Sequence, residues 1–79
     1  MLGFMASALK QLEQAYRHVI DGRRIIAAQR LRIERMKRNG LQTANAEALL
    51  QTFERSQALF EDDLAALYKH GTKRLFGLS

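Results

Sequence analysis

Apolar and small residues recur along the first half of the chain in alternating steps of three and four, at Met5, Ala8, Leu12, Ala15, Val19, Gly22, Ile26, Gln29, Ile33 and Met36. Such steps set one side chain per turn on a single helical face and mark a seam along which another helix packs. The second half repeats the pattern at Ala46, Leu50, Phe53, Gln57, Phe60, Leu64 and Leu67. No segment alternates residue by residue as a half-buried strand does, and the chain has no proline. The pattern predicts an all-α fold of two long helices.

The break between the seams is KRNGLQTANAE, residues 37–47. Gly40 suits the left-handed position after a helix end, with Leu41 folding back toward Met36 as in a Schellman motif. Lys37 and Arg38 fall in the last turn, where positive charge suits the helix dipole. Thr43 reads as the N-cap of the next helix, and Glu47 lies near its positive end. One domain, residues 1–79, is expected: helix 1 over about 4–39, a turn at 40–43, helix 2 over about 44–70 capped by Gly71, and a short tail at 71–79. Gly22 lies inside helix 1. The seam keeps its phase across it, so the helix is expected to continue at a cost of ~1 kcal/mol.

The residues beside the seams set the pairing. On one side helix 1 presents Tyr16, Arg23, Arg30 and Lys37, and helix 2 presents Glu47, Glu54, Glu61 and Tyr68. An antiparallel hairpin brings Lys37 to Glu47, Arg30 to Glu54, Arg23 to Glu61 and Tyr16 to Tyr68. The two position numbers sum to 84 in every pair, as one unbroken register requires. The register also places Gly22 beside Phe60, a gap beside a ring, and His18 near Asp63. Gln29 and Gln57 interrupt the two seams about one layer apart. Hydrogen bonding between these amides, which would fix the register, is expected over their turning outward. At the ends Leu9 would meet Leu75 and Met5 would meet Leu78, with Phe4 and Phe76 close by.

Size changes this picture more than composition does. A chain of 79 residues buries only roughly 60% of its unfolded surface, so a lone core is marginal. Disulfides and thiolate metal sites are excluded because there is no cysteine, and two histidines do not make a structural zinc site. Self-association is the remaining compensation. Ile20, Ile25, Ala28, Leu31, Leu49, Leu59 and Ala66 lie off the seam and would be wet in a lone hairpin. Ile25, Ala28, Leu49, Thr52, Ser56, Leu59 and Ala66 gather on the side opposite the charged ladder. That strip is the expected homodimer interface, two hairpins making a four-helix bundle.

The formal charge is +5, and residues 17–38 hold eight basic and two acidic side chains. The ladder takes three of the eight. Arg17, Arg24, Arg32, Arg35 and Arg38 are left for an acidic partner. Nucleic-acid phosphates would fit such a stripe, but no aromatic residues are interleaved for stacking, and no short recognition helix comes after a tight turn. The apolar ends beside Lys73 and Arg74 suggest a membrane surface as a further alternative, although burial of one end against the other is simpler. No apolar run approaches the ~20 residues of a membrane span. The opening residues lack a basic leader, so a cytoplasmic protein is expected.

Candidate chemistry is sparse. His18 beside Asp63, with Glu61 and Asp62 near, has neither a nucleophile nor an oxyanion donor to work with. Neither catalytic residues nor a cofactor or metal is expected, and His70 reads as a favourable charge near a helix end.

The run from His18 to Leu67 carries an H-x3-G start, an IAxQR segment, a G-x2-T turn and an ALLxxFExSQ helix. In these it resembles short uncharacterised alphaproteobacterial proteins, over about two thirds of the chain. The resemblance implies a bacterial cytosolic origin and a helical hairpin, and no particular activity. The expected function is a non-enzymatic helical interaction or regulatory module that self-associates. A basic nucleic-acid-associated protein is the second reading and a peripheral membrane adaptor the third.

Overall fold

Two helices form because the chain is rich in Ala, Leu, Gln, Glu and Arg, and because one apolar seam on each has only the other to cover it. A computed structural model describes the backbone of residues 2–76 and the side chains of residues 7–70. It contains α1, Leu2–Arg38, and α2, Ala44–Phe76, packed against each other as an antiparallel hairpin 58 Å long. Helix α1 runs through Gly22 without a break.

The turn is made by backbone geometry. Gly40 adopts φ 70°, the left-handed conformation that glycine enters without a Cβ clash. Its N–H donates to the Lys37 carbonyl (3.1 Å), and the Leu41 N–H donates to the Met36 carbonyl (2.9 Å). These are the two bonds of a Schellman motif, and they satisfy carbonyls that α1 would otherwise leave open. The Thr43 carbonyl then accepts from the Glu47 N–H (2.8 Å), the first bond of α2.

The far end of α2 differs from the expectation that Gly71 would cap it. The helix continues through Gly71 to Phe76. An interior glycine costs a helix only ~1 kcal/mol, and no proline lies beyond it to stop the helix. The proposed contacts Leu9–Leu75 and Met5–Leu78, with Phe4 and Phe76, lie outside the described side chains.

The core is thin. Among the described residues, Val19, Ile26 and Ile33 are the buried apolar side chains, all on α1. The α2 seam residues Leu50, Phe53, Phe60, Leu64 and Leu67 are only half-buried. Two polar side chains are more deeply enclosed than any of these five: Gln29 at 6% exposure and Gln57 at 7%. They do not bond to each other as expected. Gln29 Nε2 donates across the hairpin to the Ala46 carbonyl (2.9 Å), and Gln57 Nε2 donates to the Val19 carbonyl (2.8 Å).

Gly22 explains the second bond. The carbonyl of Val19 points along α1 toward residues 22 and 23. A side chain at 22 would cover it; glycine leaves it open to a donor from α2. A Cβ built on Gly22 falls on the Gln57 amide, 2.8 Å from its Cδ. The gap at Gly22 is therefore filled by an amide and not by the Phe60 ring, which stacks instead on His18 with centroids 5.1 Å apart. The Gln57 Oε1 is buried and accepts no hydrogen bond; it stands where a side chain at Gly22 would begin.

This fit reverses an ordinary rule. Glycine to alanine within a helix normally stabilises by about 1 kcal/mol. Here Gly22→Ala should destabilise by about 1–3 kcal/mol through overpacking. In a Gln57→Ala background the same change should turn stabilising. Thermal or urea unfolding of the four chains at one protomer concentration checks the reversal.

Candidate interaction surfaces

The hairpin presents a charged side, an opposite apolar side and the outer back of α1. On the charged side, the ladder closes at two of its three expected ion pairs. Arg23 Nη2 lies 3.0 Å from Glu61 Oε1, and Lys37 Nζ lies 3.4 Å from Glu47 Oε1. Both fit the register read from the heptads. Arg30 and Glu54 occupy the position between them, but their charged groups do not come within 4 Å, so the middle rung is open. Exposed pairs contribute only ~0.2–1 kcal/mol and lose side-chain freedom on closing, so nothing compels every rung to form.

Beyond Arg23 and Glu61, toward the chain ends, a groove of about 830 Å³ lies between the two helices. Leu12, Val19 and Leu64 line it with Tyr16 and Tyr68, and Arg23 with Glu61 marks one end. Pairing by register places the tyrosines together, but it carries no signal for the space between the helices. The one hint is that the ladder ends there on rings, with no opposite charges to draw it shut.

On the opposite side, Ile25, Ala28, Leu49, Thr52, Leu59 and Ala66 are exposed and Ser56 is half-buried. Leu59 is 65% exposed and Ile25 48%, large values for aliphatic side chains in a chain with so little core. The Thr52 hydroxyl donates to the Ala48 carbonyl (3.3 Å), so its polarity is spent within α2. Ile20, expected to be wet, is half-buried beside the seam. A second groove on this side, toward the chain ends, is lined by Ala15, His18, Phe60, Asp63, Ala66 and Leu67 among others. His18 and Asp63 share it, as the register places them, but form no ion pair; the imidazole lies flat on Phe60.

Along the back of α1, Arg17, Arg24, Arg32, Arg35 and Arg38 are all exposed, and none has a carboxylate oxygen of the described residues within 4 Å. Among the described residues no group of three His, Asp or Glu side chains is placed to hold a metal ion. Among them, too, no helix is long and apolar enough to cross a membrane. Comparison with protein-family models, with curated proteins and with solved structures finds no match to this chain.

The ladder geometry separates two superficially equal glutamates. Glu61→Ala should lower stability by roughly 0.2–1 kcal/mol, an effect that shrinks at high salt. Glu54→Ala, which removes no closed pair, should change stability less. Urea unfolding in low and high salt distinguishes them.

Proposed function

We propose that this protein is a non-enzymatic helical interaction module, working in the bacterial cytosol, that self-associates through the apolar side and uses the back of α1 toward an acidic partner. The observation that carries this reading is the imbalance between surface and core. The chain exposes 6652 Å², against about 4,900 Å² for a compact monomer of its mass. Its radius of gyration is 17.7 Å, against about 12 Å for a compact domain of this length. The excess surface is about twice the ~800 Å² that each partner contributes to a standard interface. The strip holds three exposed large aliphatic side chains, Ile25, Leu49 and Leu59, and covering it would carry the half-buried seam of α2 into a shared core.

Light scattering on the purified chain should return twice the 9.0 kDa of one protomer. Ile25→Asp with Leu59→Asp should return the single mass. A wild-type mass of one protomer at high concentration would overturn the reading.

The arginine row favours one second reading, phosphate binding by a nucleic acid, because its charges are unspent among the described residues of the hairpin. Reversal of Arg17, Arg24 and Arg35 to Glu should then abolish salt-sensitive retention on DNA or RNA. Retention unchanged by the reversal, or absent in the wild type at low salt, removes it.

A further inference from the structure

Granted the self-association just proposed, the distribution of charge on the apolar side says how the second copy sits. We propose that the two hairpins stack with their turns at opposite ends, about a two-fold axis that crosses each hairpin at the layer of Ile25 and Ser56.

The register divides this side into layers seven residues apart, about 10.5 Å along the helix: Arg32 with Leu49, Ile25 with Ser56, and His18 with Asp63. The last layer is visible as one groove wall. The middle layer carries no charge. Toward the turn the side is basic, with Arg32 and Arg35; toward the chain ends it is acidic, with Asp21 and Asp63. Neither Arg32 nor Arg35 has a carboxylate within 4 Å among the described residues of its own chain.

Two stacked hairpins have two ways to be related by a two-fold axis. With the axis along the hairpin, the turns share an end and α1 of one copy faces α2 of the other. Two Arg32 then occupy one layer and two Asp63 another, so like charges gather at both ends. With the axis across the hairpin, α1 faces α1 and α2 faces α2, each antiparallel. Every end layer then holds one Arg32 and one Asp63 and is neutral. Arg32 also comes within about 4.5 Å, measured along the axis, of Asp21 on the facing helix. Like charges gathered in one layer select against the first geometry, and the approach of Arg32 to Asp21 across facing helices favours the second, so the neutral arrangement wins.

Shape agrees. About this axis Ile25 meets its own copy, and Leu59 of one chain falls between Thr52 and Ser56 of the other. Those small residues leave room for a side chain that is 65% exposed in the single hairpin, and the Thr52 hydroxyl is already bonded within its helix.

The absence of cysteine lets one spin label report the arrangement. A nitroxide on Gln42→Cys, in the turn, marks one end of each full-length protomer, and Lys10→Cys marks the other. Turns at opposite ends predict intermolecular distances of about 50 Å at position 42 and about 45 Å at position 10. A dimeric mass with distances under about 25 Å at both sites means the turns share an end; it would overturn this docking and leave self-association standing. A monomeric mass with no dipolar signal would overturn both.

Discussion

The Gln57 amide seated in the notch at Gly22 is the contact on which the rest of the hairpin depends. An apolar heptad seam is nearly indifferent to sliding by seven residues, since one aliphatic layer resembles the next. The salt-bridge ladder contributes too little to forbid a slide, and its middle rung is open. A buried N–H, by contrast, must find an acceptor or cost about 1–3 kcal/mol. At Gly22 the absent side chain leaves the Val19 carbonyl open, and Gln57 on α2 reaches it. Gln29, bonded to Ala46, repeats the device nearer the turn. Slide the helices by one heptad and Gln57 meets a side chain instead of a gap. Register is therefore held by polar groups that add little to net stability, as a buried polar residue specifies alignment in a coiled coil.

Much of this was legible in the sequence, and the remainder escaped it for a common reason. The seams, the Gly40 turn and two rungs of the ladder could be read because each depends on side-chain type at a fixed spacing. The partners of the glutamines could not: every residue carries a carbonyl, and sequence does not mark which carbonyl is uncovered. Gly22 marks the packing gap in the sequence, but not that the Gln57 amide rather than the Phe60 ring fills it. His18 turned to Phe60 because a flat ring gains more from lying on another ring than from an exposed charge pair with Asp63. The end of α2 was missed because glycine only weakens a helix, and whether it ends one depends on the residues beyond it. As for the surfaces, the positions of the apolar strip and the arginines arise from periodicity. The groove lined by Tyr16 and Tyr68 depends on the space left between the helices, which no residue pattern encodes.

The two helices contribute unequally. Helix α1 supplies the three buried apolar side chains and the row of unspent arginines. Helix α2 supplies the larger apolar side chains, which remain half in water, and most of the exposed strip. One helix is thus largely satisfied inside the hairpin and turns its charge outward, while the other lacks a cover. A hairpin built this way keeps its core open along α2, and that asymmetry is the ground of the self-association proposed above.

The turn at Gly40 carries a consequence for how the molecule moves. It closes a very short loop between two long helices, so the layers beside it form with little loss of chain entropy. Each layer farther out joins residues more widely separated in sequence and depends on those already made. Folding should therefore run outward from the turn, as a zipper does, and opening should run inward from the chain ends. The two glutamine clamps divide that path into stages. The groove flanked by Tyr16 and Tyr68 lies outside the last clamp, so it can widen and reclose while the paired segment between Gln57 and Gly40 stays intact.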